Sequence, residues 1–196
     1  MSEITSSTSR DLSGEVSPEL QAEVESSTGW MYAWQLTPGV TLPTAHPELP
    51  GIHATRERLV ASVVQGELCD GGTMVDLGSH EGWFAQRALD WGADRVLAID
   101  VRELNIRRAT LLRDHFGISS DRLELLERSV YDVSPEDVGQ FDVVLNIGLI
   151  YHLEDPIGAI RTASSLALPN GLVVVESQLH RGGTVTVGRG ITGELT

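Results

Sequence analysis

Five short apolar segments, separated by amphipathic stretches, constrain the fold of this chain more than any other feature of its sequence. They are rich in Val, Leu and Ile and too continuous for strands with one solvated face, so they predict a parallel sheet buried on both faces. These strands are 73–77, 95–100, 122–128, 141–147 and 171–177. Helices are predicted near 54–67, 82–92, 103–116 and 156–167, and one face of the first carries Leu59, Val60, Val63 and Val64. The alternation predicts an α/β fold with a Rossmann-like, doubly wound, mostly parallel sheet.

The region before this pattern has a different composition. Residues 1–28 are rich in Ser and Glu and lack aromatic side chains, which is typical of a mobile acidic arm. Within it, Ser17 and Pro18 are typical of the start of a short helix over 18–26. We therefore predict a mobile arm that includes one helical segment.

Residues 29–53 form an aromatic and proline-rich flap. Trp30, Tyr32 and Trp34 are two residues apart, as on one face of an extended segment, and the four prolines that follow predict irregular structure. The flap either packs over the edge of the core or forms part of a lid over an active site. The remaining residues, 54–196, are predicted to form the ligand-binding domain.

Composition excludes several classes of function. The formal charge of −14 opposes binding of a phosphate-rich partner, so nucleic acid is disfavoured. All 14 basic residues are arginine, which excludes a P-loop lysine and Schiff-base chemistry. The single Cys69 excludes an internal disulfide framework and a cysteine zinc cluster. No leader pattern or membrane-length apolar window is present, so we expect a cytoplasmic protein with no membrane partner.

A glycine-containing turn follows the first strand, with an acid on either side of it. Asp76 precedes Gly78, and Asp100 ends the next strand. Ligands of open α/β sheets bind beyond the carboxyl ends of the strands. A dinucleotide does not suit this turn, because His80 would crowd a pyrophosphate and Asp76 would repel it. S-adenosyl-L-methionine suits it better, since it is a cation without phosphate whose ribose hydroxyls could donate to Asp100.

Four segments, in order and at proper spacing, resemble motifs of the class I S-adenosylmethionine-dependent methyltransferases. "VDLGSHEG" resembles the first motif, with His80 in place of its middle glycine, and "VLAID" matches the acid of the second strand. "ERSVYD" resembles the segment that contacts adenine, and "FDVVLNIGLIYHLEDP" the fourth-strand motif. The resemblance covers about residues 54–177. It implies cofactor binding by Asp76, Gly78, Ser79, Gly82, Asp100, Val101, Val130, Tyr131, Asp132 and Asn146.

The resemblance also implies methyl transfer, an in-line displacement in which positioning supplies most of the acceleration. If the acceptor is a hydroxyl, His152 is the candidate base, with Tyr151 beside it. The alternative is that His152 bonds the backbone of its own loop. Glu176 and His180 flank the end of the fifth strand and could bind substrate. No ligand spacing there is diagnostic of a metal, and we expect none.

Three functions remain open. The ending Tyr-His-Leu-x-Asp-Pro resembles a subgroup that contains the tRNA wobble-uridine carboxymethyl transferase and small-molecule methyltransferases. The acidic charge favours a small polar acceptor, as in specialised metabolism, over a tRNA-modifying relative. The third hypothesis is that the chain is an accessory module that binds the cofactor without catalysis.

The end of the chain departs from the resemblance. Class I methyltransferases continue past the fifth strand with a helix and an antiparallel strand pair, whereas nineteen residues follow Ser177 here. We therefore expect a fold that is shortened at the C-terminus. Residues 184–187, "TVTV", alternate like a single strand that could cover the edge of strand five. A second copy of the chain or a partner subunit could cover the same edge.

Overall fold

The computed structural model describes residues 14–68 and 70–178, together with the backbone of 184–187 and 191–194. The helices are α1 (Pro18–Ser26), α2 (Leu49–Leu68), α3 (Trp83–Asp90), α4 (Glu103–His115), α5 (Pro135–Val138) and α6 (Pro156–Leu166). The strands are β1 (Gln35–Thr37), β2 (Val40–Thr41), β3 (Thr73–Leu77), β4 (Arg95–Asp100), β5 (Leu123–Glu127), β6 (Phe141–Ile147), β7 (Ala167–Glu176), β8 (Thr184–Val187) and β9 (Ile191–Glu194). Two short 3₁₀ turns lie at Val130–Asp132 and Ile150–His152.

Strands β3 to β7 form one parallel sheet in the order β5-β4-β3-β6-β7. The chain moves outward from β3 to β5 and then crosses back to β6, so the strand order reverses between β3 and β6. This is the doubly wound arrangement that the sequence predicted. The carboxyl ends of β3 and β6 therefore meet at the point where such sheets bind ligands.

Both faces of the sheet are buried, as the continuous apolar strands predicted. Met74, Val96 and Val143 face a layer made by α1 to α4 and the flap. Val75 and Val144 face the opposite layer, where the small side chains of α6 pack closely on the strands. The period of two along each strand sends neighbouring residues to opposite layers.

The predicted strand bounds are confirmed for β3, β4 and β6, whereas β7 begins four residues earlier than predicted. Helix α2 also begins earlier, at Leu49. Its first turn includes Pro50, which a helix accepts there because the missing N–H needs no intrahelical partner. The last residues of the predicted flap, 49–53, therefore belong to helix α2.

Only two of the four residues of the predicted apolar face of α2 are buried. Val60 and Val64 are buried, but Leu59 is 65% exposed and Val63 is 50% exposed. The helix meets the sheet along a narrow stripe that repeats every four residues, through Val60, Val64 and Leu68. The neighbouring stripe with Leu59 and Val63 faces outward.

The part of the predicted mobile arm that the structure describes is packed on the domain. The predicted helix is present, and Ser17 caps it by accepting a hydrogen bond from the Leu20 backbone at 3.2 Å. However, Leu20 is fully buried and Glu23 is 4% exposed, so α1 is part of the folded core. The apolar burial of Leu20 and the charge pairing of Glu23 account for this difference. Residues 1–13 lie outside the described residues.

The flap contains regular structure despite its prolines. Strands β1 and β2 pair antiparallel, on either side of Pro38, which lies in their turn. Trp30 and Trp34 are almost fully buried in the core beside α3 and α4. The division of the chain into arm, flap and domain remains a prediction.

Strand β7 ends one side of the parallel sheet, and within the described residues no strand pairs with its outer edge. The predicted strand at 184–187 is present as β8, but it pairs antiparallel with β9 in a separate two-stranded sheet. The expectation that it would be a single strand along β7 is therefore wrong. Of the described helices, none has the length and apolarity needed to cross a membrane.

Candidate functional site

A cavity of about 370 Å³ opens at the edge where the parallel strands end. Half of the predicted site residues line it, namely Gly78, Asp100, Val101, Val130, Tyr151 and His152. The other half do not line it, namely Asp76, Ser79, Gly82, Tyr131, Asp132 and Asn146. The structure therefore brings six of the twelve predicted residues to one cavity wall, and the contacts of all twelve with a ligand remain predictions.

The turn after β3 is held close to the end of β4. The backbone N–H groups of Gly78 and Ser79 both donate to the Ile99 carbonyl, at 2.8 and 2.9 Å. Gly78 has a φ of +74°, and an added Cβ would lie 2.9 Å from a methyl group of Leu149. Only glycine therefore fits between the turn and the loop that follows β6.

His80 occupies the position where the related motif has its middle glycine. Its φ of +52° lies in the left-handed region, which glycine adopts freely and which histidine adopts more often than most residues. The backbone of the motif is thus retained with a different side chain. Burial lowers the pKa of His80 to about 4, so the ring is neutral near pH 7.

Asp100 is a buried acid on the cavity wall, and three hydrogen bonds hold its carboxylate. One oxygen accepts from the backbone N–H of His80 at 2.9 Å, and the other from the Arg102 backbone N–H and the Asn105 side chain at 2.9 and 3.0 Å. A carboxylate offers about four acceptor positions, so these three bonds fix its orientation and leave capacity for a ligand hydroxyl. Val101, directly after it, is 65% exposed and lies on the cavity wall.

Asp76 lies behind the glycine turn, where it is 3% exposed. Burial and then the charge of Asp100 raise the pKa of Asp76 to about 7, while a hydrogen bond from the Ala85 backbone acts in the opposite direction. The carboxyl therefore joins β3 to the first turn of α3. Its predicted contact with a ligand is not visible in the wall of the cavity.

Two predicted residues carry buried polar atoms without a hydrogen-bond partner. They are the Ser79 hydroxyl and both polar atoms of the Asn146 amide. Their residues are 4% and 0% exposed, so water does not satisfy these groups from the surface. Burying a polar group without a hydrogen-bond partner costs free energy. Unpartnered groups of this kind are common beside ligand sites.

Only one of the three predicted residues in the segment after β5 lines the cavity. Val130 lines the wall and is 7% exposed. Tyr131 is 45% exposed, and its hydroxyl accepts from the Asp155 backbone N–H at 3.1 Å and donates to that residue's carbonyl at 3.2 Å. Asp132 is exposed. The structure therefore gives Tyr131 a role in joining two loops.

Tyr151 and His152 lie in the 3₁₀ turn after β6, with ring centroids 4.3 Å apart. Both line the cavity. The His152 backbone N–H closes its own turn by donating to the Leu149 carbonyl at 2.9 Å. The turn thus presents both rings beside the glycine turn of β3. Their predicted catalytic roles remain predictions.

Fourteen further residues line the cavity, and four of them precede β3 in the chain: Met31, Tyr32, His53 and Arg56. Tyr32 stacks on Trp83 with centroids 5.1 Å apart, and burial raises the pKa of its hydroxyl. The flap is thus both packed in the core and part of the cavity wall. The aromatic pattern hinted at Tyr32, but no local signal marked His53 and Arg56, which tertiary packing alone brings here.

The flap is attached to the glycine turn through Glu81, which is fully buried. Its carboxylate accepts hydrogen bonds from the backbone N–H groups of Met31 and Tyr32 at 3.1 and 3.3 Å. Arg108 bonds Glu81 at 3.2 Å and Glu23 at 2.7 Å, and its guanidinium lies 4.5 Å from the Trp30 ring centroid. One arginine therefore connects α1, the flap and the turn.

The structure shows no group of three or more His, Cys, Asp or Glu residues able to hold a metal, counting only the residues it describes. Glu176, at the end of β7, instead pairs with Arg56 through two contacts of 3.2 Å. Its predicted companion His180 lies outside the described residues.

A family model described as a methyltransferase domain matches residues 52–188. The ubiquinone biosynthesis O-methyltransferase of Xanthomonas campestris pv. campestris is 30% identical over 69% of this chain and 54% of its own length. The tRNA U34 carboxymethyltransferase of Idiomarina loihiensis is 27% identical over 60% of this chain and 36% of its own length. The chain thus spans about a third to a half of these relatives.

Among solved structures, the N-terminal domain of EvdMO1, determined in the presence of SAH and D-fucose, has a similar fold. Its TM-score is 0.59 at 22% identity, over 76% of this chain and 60% of that one. Likeness at this level of identity supports the fold.

Proposed function

This chain belongs to the methyltransferase-domain family, and from that premise we propose that it transfers a methyl group from S-adenosylmethionine to a small polar acceptor. One observation carries the proposal. A glycine turn at the end of β3 and a buried, oriented Asp100 at the end of β4 lie side by side, and the chain contains no lysine. A carboxylate in this position favours a ligand with hydroxyl donors, such as the ribose of S-adenosylmethionine.

The residues around the cavity fit this cofactor. Asp100 has acceptor capacity left for the ribose hydroxyls, and the glycine turn lets a ligand approach the backbone closely. Ser79, after β3, and Asn146, near the end of β6, do not line the cavity, but their unpartnered polar groups are our candidates for further hydrogen bonds to the cofactor. Val130 provides an apolar surface for a base on the side toward β5. We also propose that Gly82 and Asp132 contribute to binding the cofactor. The carboxyl of Asp76 would balance the positive charge of the cofactor.

When bound, the cofactor supplies a methyl group for in-line displacement by a nucleophile. The chain itself has to orient the acceptor and exclude water. Tyr32 and Tyr151 enclose the cavity from the flap and from the turn after β6. His152 is our candidate to accept a proton from an acceptor hydroxyl, because it lies on the cavity wall and its side chain is exposed.

The proposed function and its main alternative, a tRNA-modifying activity, differ in the acceptor of the methyl group. The name of the Idiomarina relative favours a tRNA-modifying activity, but the net charge of −14 opposes polyanion binding.

The outer edge of β7 is a place where a second copy or a partner subunit could bind. A silent accessory module is the remaining alternative.

The experiment has two parts. Calorimetric titration with S-adenosylhomocysteine, the demethylated product, should show binding, and its absence would overturn the proposal. Incubation with methyl-labelled cofactor should then transfer label to members of a panel of phenols and alcohols. Label on tRNA alone would establish the competitor, and binding without any transfer would favour the accessory module.

A further inference from the structure

A second, larger cavity of about 740 Å³ lies next to the first. It runs along the outward face of α2 and over the ends of β6 and β7. Ile52, Leu59 and Val63 form one wall, and Val174 lies opposite them. We call this cavity the α2 groove. Arg56 and Ile147 line both the groove and the cofactor cavity, so the two spaces adjoin.

The groove wall is an unusual apolar surface. Ile52 is 47% exposed, Leu59 is 65% exposed and Val63 is 50% exposed. Their spacing of seven and four residues places all three on one stripe of α2, next to the stripe that packs on the sheet. A continuous apolar stripe with this much exposure marks a binding surface more often than scattered single residues do.

The order of strands relates the groove to methyl transfer. Asp100 lies at the end of β4 and the glycine turn at the end of β3, so the cofactor crevice runs toward β6. The groove begins at the next positions along the same edge, at Ile147 and Glu176. An acceptor in the groove would therefore reach the cofactor from the side opposite Val130.

Polar groups converge where the two cavities meet. Arg56 is paired with Glu176, and a Cβ on Gly148 would lie 3.2 Å from the Tyr151 hydroxyl and 3.6 Å from Arg56. His53, one turn earlier on α2, is 5% exposed and its Nδ1 has no hydrogen-bond partner. Glu176 neutralises Arg56, so the part of the junction that the structure describes has no unpaired positive charge. A neutral hydroxyl is thus accepted more readily than a carboxylate.

We propose that the acceptor is a neutral phenol or alcohol with an extended apolar body, which lies in the α2 groove while its hydroxyl meets His53, Arg56 and Tyr151. This inference rests on the proposed function and revises its acceptor: the reacting hydroxyl is polar, as proposed, but the body attached to it is apolar and larger than a small polar molecule. In the reaction the acceptor oxygen forms a bond to the methyl carbon and the carbon–sulfur bond breaks, leaving a neutral thioether. The hydroxyl proton leaves to His152 or to water.

A series of 4-alkylphenols tests the proposal, with binding measured by calorimetry on the full chain saturated with S-adenosylhomocysteine. Affinity should rise roughly threefold for each added methylene as the alkyl chain fills the groove. Leu59→Glu should remove this dependence on chain length. The exposed position of Leu59 makes a folded variant the expected outcome.

Ile157→Glu is the matched control, because Ile157 is 57% exposed on α6 and lines neither cavity. It should retain the wild-type dependence on chain length. The corresponding 4-alkylbenzoates should bind more weakly than the phenols, and Glu176→Gln should reduce that difference.

Two results would overturn the inference while leaving the proposed function intact. One is a wild-type chain that binds S-adenosylhomocysteine but shows no dependence on alkyl length. The other is a dimer, seen by sedimentation velocity, that Leu59→Glu dissociates, since a second copy would then occupy the groove. Failure to bind S-adenosylhomocysteine would instead remove the proposed function itself.

Discussion

The backbone N–H of His80 donates to Oδ2 of Asp100 at 2.9 Å, and this bond joins the turn after β3 to the end of β4. Because the turn residue has a left-handed conformation, its N–H points at the neighbouring strand end. The acid is therefore oriented before any ligand arrives. Such preorganisation lowers the entropy cost of binding.

Asp100→Asn should weaken binding of S-adenosylhomocysteine by about 1.5 to 3 kcal/mol, the scale of a hydrogen bond to a charged group. Calorimetric titration measures this change. The control is Asp142→Asn, since Asp142 bonds Thr73 at the opposite edge of the sheet and should not affect affinity. Unchanged affinity in Asp100→Asn, with the fold retained, would contradict the ribose assignment.

Gly78→Ala should destabilise the chain and also weaken cofactor binding. Its φ of +74° strains any side chain, and the added Cβ collides with Leu149. Gly117→Ala is a matched control, because its φ is +65° but nothing lies within 4 Å of the new Cβ. We expect about 1 to 2 kcal/mol of destabilisation from the backbone alone in the control, and more in Gly78→Ala. Equal losses in urea unfolding would show that the Leu149 contact is unimportant.

Arg108→Leu should reduce the free energy of unfolding by about 3 to 5 kcal/mol, since buried Glu81 loses its arginine partner and Glu23 keeps only Arg107, at 2.6 Å. Glu23 and Glu81 have side chains that are 4% and 0% exposed. Arg95→Leu breaks an exposed pair with Glu124, where the side chains are 46% and 50% exposed, and should cost less than about 1 kcal/mol. Urea unfolding of the two variants provides the comparison. Similar losses would show that the buried network contributes little.

Stability should fall as the pH is lowered from about 6.5 to about 4. Burial lowers the pKa of His53 and of His80 to about 4, from 6.5 in the unfolded chain. Over this range the unfolded chain binds two more protons at these rings than the folded chain does. Asp76 opposes this, because its raised pKa of about 7 holds one proton more in the folded chain. The net contribution of these three groups is about one proton, or roughly 1.4 kcal/mol per pH unit, and Glu81, whose pKa burial also raises, makes the total smaller.

Variants separate these contributions. His53→Gln should flatten the pH dependence of the unfolding free energy, and Asp76→Asn should make it steeper, since it removes the opposing group. Urea unfolding at several pH values between 4 and 7 measures both slopes. A slope that neither variant changes would show that these groups are not desolvated in the folded chain.

The period of the apolar residues determined the fold. Local sequence alone placed β3, β4 and β6 at their observed bounds, because a strand buried on both faces must be continuously apolar and glycine or polar residues must end it. The positions of Gly78 and Asp100 followed, since parallel strands bring their carboxyl ends to one edge. These features depend on near neighbours in the chain, which a sequence displays directly.

Tertiary structure decided which residues form the walls of the site. The sequence could not tell that α2 packs through Val60 and Val64 while Leu59 faces outward, because helical period defines a stripe but not its rotation against the sheet. Nor could it show that Glu81 fixes Tyr32 in the cavity wall across 49 residues of chain. Such contacts arise only when distant segments compete for the same buried space, and that competition is settled by packing of the whole chain.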